Sequence, residues 1–301
     1  MKHDLDRVRR HGAASLVDTA TGYRSESAAL RDVLLCPPTY LAPVPCCSVT
    51  RESLRAGFTA STARALDQHR ALRTALEEYG VACHILPAAA DLPDLCFTRD
   101  IAAATPFGIV ALNPAMPHRR REVDQLVSTL AAWGSPVAGR IAAGTIEGGD
   151  ICVARDGLLI VGVSGERTTD AGADAFAHRF RAAGWDVLVC RFDPHFLHLD
   201  TIFCMLDERT ALACTDVLDD AFIADVEARG LRLLPVSYKE SRRLGCNVVS
   251  LDGRTILVAA GQDRIATMLR EAGFAPVPVD ISEFAACGGG LHCLTMPLAR
   301  G

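Results

Sequence analysis

Several common signatures are missing from this chain of 301 residues, and each absence removes a class of function. There is no basic excess: 31 Lys and Arg face 36 Asp and Glu, for a formal charge of -5. Without surplus cations to hold phosphates, the chain is not built for nucleic acid. No uninterrupted apolar run reaches spanning length, so no membrane partner is expected; even Leu158–Val163 is short and flanked by charge. The N-terminus, MKHDLDRVRRHGAAS, is basic but carries no apolar stretch of the secretory kind. A soluble cytoplasmic protein is the expectation.

The twelve cysteines contain no CxxC pair, the usual mark of a structural zinc site, and they are too sparse for a disulfide scaffold. Cys83, Cys152, Cys190, Cys204 and Cys214 sit in apolar runs and read as small buried hydrophobes with reduced thiols. What is present is bulk: half of the residues are hydrophobic, enough for a sizeable core and too many for wholesale disorder.

The chain also repeats itself. Four stretches, residues 101–113, 151–163, 202–215 and 247–260, place aliphatic residues on both sides of a polar or glycine turn, the pattern of a β-hairpin. Their starts are spaced by 50, 51 and 45 residues. Each is followed by apolar residues at helical spacing, over 119–133, 168–183, 219–229 and 263–272. Gly134, Gly184, Gly230 and Gly273 follow as stops, and strands are expected near 137–141, 187–191, 231–236 and 276–279. An earlier helix, 60–79, leads into a strand at 81–86. The leftover strands, 32–36 and 294–298, supply the missing hairpin of that unit and close a ring. The expected fold is α/β: about five ββαβ units in a propeller-like single domain over residues 30–301, after an N-terminal extension of residues 1–29.

Chemistry gathers just before each hairpin. Phe97-Thr98-Arg99-Asp100 precedes the first, Glu147-Gly148-Gly149-Asp150 the second and His198-Leu199-Asp200 the third. Gly245-Cys246 precedes the fourth, and Gly288-Gly289-Gly290-Leu291-His292-Cys293 the last strand. In a ring these positions lie near the axis, so residues 100, 147, 198, 200 and 293 converge. Cysteine is a nucleophile, histidine moves protons near neutral pH, and carboxylates grip a planar cation through paired hydrogen bonds. Together they point to attack on a guanidinium carbon. A cysteine protease would leave the acids without a role.

The segments FTRD, IEGGD, HLD and GGGLHCLTMP, in this order, resemble the guanidino-group modifying superfamily of arginine deiminases, dimethylarginine dimethylaminohydrolases, agmatine deiminases and amidinotransferases. The resemblance covers roughly residues 30 to 300. It implies the five-bladed αβ-propeller (pentein) fold, a covalent amidino-cysteine intermediate, a small-molecule guanidine as partner, and neither metal nor other cofactor. Residue by residue it implies Cys293 as nucleophile, His198 as general acid/base and Glu147 as the catalytic acid that contacts the guanidinium and lies near His198. Asp94, Asp100, Asp200 and Phe97 become substrate contacts. Asp94 matches the dimethylarginine hydrolases, whereas Asp200 and FTRD match the deiminases, so the pattern is mixed. Arg167 and Arg119 match arginines that bind the substrate α-carboxylate, which argues against agmatine. For Arg119 a solvated helix start remains the competing reading.

The leading function is hydrolysis of arginine or a methylated arginine to citrulline plus an amine or ammonia. An arginine deiminase or dihydrolase, an amidinotransferase with an amine acceptor, and an inactive propeller serving as a binding module are the alternatives. Asp150 reads as structural, and the glycines of IEGGD as room for a ligand. His292 reads as supporting, on the premise that neighbours on a strand face opposite sides. His195, Cys246 and Asn247 are candidate pocket walls, Cys287 is read as inert, and residues 43–58 as a loop over the pocket. A homo-oligomer remains open.

Overall fold

The computed structural model describes residues 23–301; the basic N-terminal stretch and most of the expected extension lie outside the described residues. Five three-stranded sheets make up the molecule. Each joins an antiparallel hairpin to a third strand, parallel to the second and reached through a helix. The first sheet holds Ala102–Thr105, Gly108–Ala111 and Gly139–Arg140. The second holds Ile151–Arg155, Leu158–Val163 and Asp186–Arg191. The third is built from Phe203–Met205, Thr210–Ala213 and Arg232–Pro235. Val249–Ser250, Thr255–Ala259 and Ala275–Val279 form the fourth.

The fifth sheet is made by the two ends of the folded chain. Leu30–Leu35 pairs antiparallel with Met296–Arg300 and parallel with Ala82–Ile85. This is the closing unit expected from the leftover strands. Neighbouring units are stitched all the way round: Ile146 to Asn113, Arg155 to Glu208, Ser250 to Leu206, Leu30 to Leu251, and Thr98 to Leu34. The chain is an αβ-propeller of five ββαβ units.

Helices Thr62–Glu78, Arg120–Ala132, Asp170–Ala182, Asp220–Ala228 and Asp263–Glu271 cover the outside. Ser61, Thr169 and Asp219 cap three of them by accepting backbone N–H bonds. The expected glycine stops all take positive φ, from 77° at Gly230 to 94° at Gly273. Apolar residues on the inner helix faces, such as Leu72, Leu126, Phe180, Val226 and Leu269, are buried against the sheets.

One expectation is corrected. Residues 43–58 are not simply a loop: Cys47 caps a helix, Ser48–Arg55, by accepting from the backbone of Thr50. Ahead of the first strand, Tyr23, Ser25, Glu26 and Ser27 are buried, and Glu26 donates its backbone N–H to Val153.

Candidate active site

The ring brings the hairpin starts together. Three of them are single turns of 3-10 helix, Thr98–Ile101, Gly148–Asp150 and Leu199–Thr201. Asp150 ties them: its carboxylate accepts the Thr168 hydroxyl at 2.6 Å and the Leu199 backbone N–H at 2.8 Å. Burial pushes this carboxyl up to about 7. Asp150 is thus structural, as read from the sequence. The glycines of IEGGD admit protein rather than ligand. A Cβ on Gly148 would run into the Arg99 carbonyl, and one on Gly149 would lie 2.6 Å from His198 Nδ1.

A pocket of roughly 360 Å³ opens at this convergence. Cys293, His198, Asp94, Asp100, Phe97, Arg119 and Arg167 line it, with Cys46, Cys47 and Cys287 at its wall. Of the residues expected to meet substrate, Glu147 and Asp200 do not line it; they touch residues that do. Glu147 is fully buried and its oxygens are spent. They accept from His198 Nε2 at 2.7 Å, Arg167 Nη1 at 3.0 Å and the Ala115 backbone at 3.0 Å. The expectation that Glu147 grips the guanidinium is corrected: here it serves His198 and Arg167.

Buried charges set the protonation of this centre. For His198, burial favours the neutral ring, but Asp100, the Glu147 hydrogen bond and Asp150 outweigh it and push the group up to about 10. Burial would likewise raise Glu147, yet His198 and Arg167 hold it well below the usual carboxylate range. The balance favours the protonated ring at His198 and the ionised carboxylate at Glu147. His198 Nδ1 has no hydrogen-bond partner among the described residues and stands 3.7 Å from Asp100 Oδ1. For Cys293, burial and the negative charges of Asp200 and Asp100 push the thiol well above its usual value. Its Sγ lies 3.5 Å from Asp200 Oδ2 and accepts from Asn247 Nδ2 at 3.4 Å.

The two arginines are engaged. Arg119 is buried, not solvated. It donates to Asp100 at 2.5 Å, to Glu122 at 3.0 Å and to the carbonyls of Asp94 and Phe97. It braces the carboxylates in place of waiting for one. Arg167 is divided between Glu147 and the carbonyl of Cys46, at 2.9 Å. It lines the pocket and links the segment carrying Cys46 to Glu147, the partner of His198. Asp94 accepts from His118 at 2.7 Å, a partner that the sequence reading missed because nothing in HRRRE sets His118 apart.

Other residues fall off the pocket. Cys246 is buried in the core and Asn247 sits behind Cys293. His195 lines an adjoining cavity beside Ser48 and Arg242, which shares Cys47, Leu197 and Gly288 with the pocket. His292 lies in a turn before the last strand, not on it, so the opposite-face premise fails although a supporting place is found. Two clusters have the donors a metal would need, Cys46–Asp94–His118 and Asp100–Glu147–His198, each within 4.8 Å. In the second, the histidine and glutamate are already hydrogen-bonded to one another, which suits proton transfer.

Comparisons with known proteins agree with this geometry. Residues 49–300 match the family model described as N,N dimethylarginine dimethylhydrolase, eukaryotic. An N(G),N(G)-dimethylarginine dimethylaminohydrolase of Streptomyces coelicolor is 33% identical over 236 residues, covering 78% of this chain and 86% of that one. Among solved structures, the Pseudomonas aeruginosa dimethylarginine dimethylaminohydrolase, a cysteine-to-serine mutant complexed with citrulline, superimposes with a TM-score of 0.75 at 23% identity, over 89% of this chain and 99% of that one. The N-terminal domain of ArgZ, a cyanobacterial arginine dihydrolase bound to substrate, gives 0.79 at 20% identity, over 89% and 98%. The chain belongs to the dimethylarginine dimethylaminohydrolase family.

Proposed function

We propose that this chain hydrolyses the guanidinium group of arginine or a methylated arginine through an amidino-cysteine intermediate, yielding citrulline and an amine or ammonia. The observation that carries the reading is one pocket holding a buried thiol, Cys293, and a buried imidazole, His198, among carboxylates. A guanidinium entering beside Asp94 and Asp100 brings positive charge to the thiol. That charge offsets the two aspartates and lowers the thiol pKa where the nucleophile is needed. The thiol proton has an acceptor in Asp200 Oδ2, and the thiolate adds to the guanidinium carbon. Nε2 of His198 is committed to Glu147, so Nδ1 is the nitrogen free to protonate the departing amine. The neutral ring then takes a proton from water, which attacks the same carbon, expels the thiolate and leaves the ureido product.

One observation favours the arginine dihydrolase or deiminase reading within this chemistry. Asp200 Oδ1 is buried without a partner among the described residues. An attacked guanidinium sets a nitrogen against Asp200. An unsubstituted nitrogen fills that acceptor with an N–H, whereas a dimethylated one leaves it unsatisfied at a cost of about 1–3 kcal/mol.

We take residues 30–301 as one catalytic domain, with residues 23–29 packed against it. No helix of the described residues is long and apolar enough to cross a membrane. All twelve cysteines are free, which supports a reducing compartment such as the cytoplasm. The test is a product assay over arginine, methylated arginines, agmatine and guanidino acids, scoring ammonia, methylamines, citrulline and ornithine. Turnover should come with an acid-quenched adduct on Cys293. No turnover of any guanidine, or an adduct on Cys287 or Cys46, overturns the reading.

A further inference from the structure

We propose that His292 and Glu26 are positioning residues for Asp200, so that the N-terminal segment around Tyr23–Ser27, which precedes the matched residues 49–300, is part of the working centre. The proposal deepens the functional reading and rests on it for the role of Asp200 beside Cys293.

Two cavities meet across the ring wall. The catalytic pocket is one. The other, of about 250 Å³, is lined by Tyr23, Glu26, Arg99, Gly148 and Met296 among others, and shares no lining residue with the first. His292 bridges the two sides. Its Nδ1 lies 2.9 Å from Asp200 Oδ2, and its Nε2 lies 3.3 Å from Glu26 Oε1. Both ring nitrogens thus face carboxylate oxygens, and only the doubly protonated ring can donate to both. Glu26 is in turn paired with the buried Arg99. The row reads Arg99, Glu26, His292, Asp200, Cys293, with charge alternating up to the thiol. Among the described residues, other charges stand at both ends of the row: Tyr23 and Arg300 beside Glu26, and Asp100 beside the thiol.

The row decides which oxygen of Asp200 does what. The His292 imidazolium and the Cys293 thiol share Oδ2. That leaves Oδ1 as the open acceptor. The main chain locks the geometry from the other side: the His292 N–H donates to Asn247 Oδ1 at 2.9 Å, and Asn247 Nδ2 reaches Cys293 Sγ. Without the imidazolium, Asp200 is free to turn, and its charge acts on the thiol unopposed. Burial alone would discharge His292; Glu26 and Asp200 overcome both burial and Arg99 and raise its pKa.

The test separates charge from hydrogen bonding. His292→Asn keeps a donor toward Asp200 and removes the cation. His292→Leu removes both, and Glu26→Gln weakens the row from its far end. Two readouts are taken on the intact chain: steady-state kinetics with arginine, and the pH dependence of Cys293 alkylation by iodoacetamide, which needs no substrate. His292→Leu should lower kcat by about 30- to 100-fold with KM within threefold. All three variants should shift the alkylation profile to higher pH, Glu26→Gln least, and His292→Asn should recover most of kcat. A lowered melting temperature with unchanged kcat and alkylation profile in His292→Asn and Glu26→Gln would show a merely structural role and overturn the proposal, even if His292→Leu fails to fold. If the wild-type chain turns over no guanidine, the functional reading falls, while the alkylation profile still judges whether the row acts on Cys293.

Discussion

The arginines of this chain form two populations that look alike in distance and differ in consequence. On the outer helices and sheet edges, Arg73 pairs with Glu77 at 2.7 Å and Arg229 with Asp186 at 2.6 Å, with side chains partly or largely in solvent. At the centre of the ring, Arg119 pairs with Asp100 at 2.5 Å and Arg167 with Glu147 at 3.0 Å, with almost nothing exposed. Water screens the first group, and each pair is worth ~1 kcal/mol or less. The second group is cut off from water, so removing one partner strands a charge at a cost of about 3–5 kcal/mol. Bond length does not tell a functional ion pair from an incidental one; burial and the next partner along do.

The largest effects should come from the groups that the inner network serves. Cys293→Ser should abolish turnover without trapping an adduct, because a hydroxyl is far less available as an anion than a thiol. His198→Gly should be severely slowed and accumulate the covalent species, since the departing amine and the attacking water both lose their proton carrier. Mass spectrometry after acid quench reads both. Full activity in Cys293→Ser would break the comparison at its centre.

Next comes Arg167. From the sequence, replacing it with Ala should harm α-amino acid substrates and spare guanidines without a carboxylate. The structure gives a different expectation, because Arg167 also holds Glu147 and the Cys46 carbonyl. Arg167→Ala should therefore lower kcat for agmatine-like guanidines as well, by about tenfold or more, with an added rise in KM for arginine. Loss confined to carboxylate-bearing substrates would return Arg167 to a simple hook.

A smaller effect tests the buried acid that braces the turns. Asp150 has its pKa raised to about 7 by burial, so the folded state binds a proton more tightly than the unfolded chain does. Stability from this group is present below its unfolded value near 4 and falls as pH rises toward 7. Asp150→Asn removes that dependence. Relative to wild type it should gain on the order of 1 kcal/mol between pH 4.5 and 7.5, read as urea midpoints at the two pH values. Glu26, held low in the fold, works in the opposite sense in both proteins and cancels in the difference, whereas His198 and Glu147 feel the Asp150 charge directly and add to it. A constant offset across pH would show that Asp150 is not protonated in the folded state.

The ring was legible because each unit repeats the same local rules: apolar strands about a polar turn, a helix, and a glycine beyond its end. Strand edges were less so. The third strand of the first sheet is only Gly139–Arg140, where residues 137–141 were expected, although Ala138 and Ile141 still donate to Ile109 and Ala111. The convergence of Cys293, His198, Asp94 and Asp100 followed from equivalent places in equivalent units. What stayed hidden was the second partner of each charge. That Glu147 would be spent on His198 and Arg167, or that His118 would take Asp94, depends on side chains meeting across sheets, and spacing along one strand carries no such signal. Glu26 lay further out of reach, since residues 23–29 precede the first recognisable strand.

The smallest expected effect is on the outside, and it calibrates the rest. Arg73 and Glu77 are four residues apart on Thr62–Glu78, with side chains 46% and 44% exposed. The order is unfavourable: helices gain more from an acid placed before a base, so that each complements the dipole. Held in water, the pair gives up side-chain freedom for a screened attraction. Arg73→Gln keeps the aliphatic stem and helix propensity. It should change stability by less than about 0.5 kcal/mol, a melting shift of roughly 1–2 °C for a domain this size, with kcat and KM unaltered. Added salt should shrink even that difference. A loss of several degrees, or any change in kcat, would mean that the outer helix is coupled to the axis, and the division between the two populations would have to be redrawn.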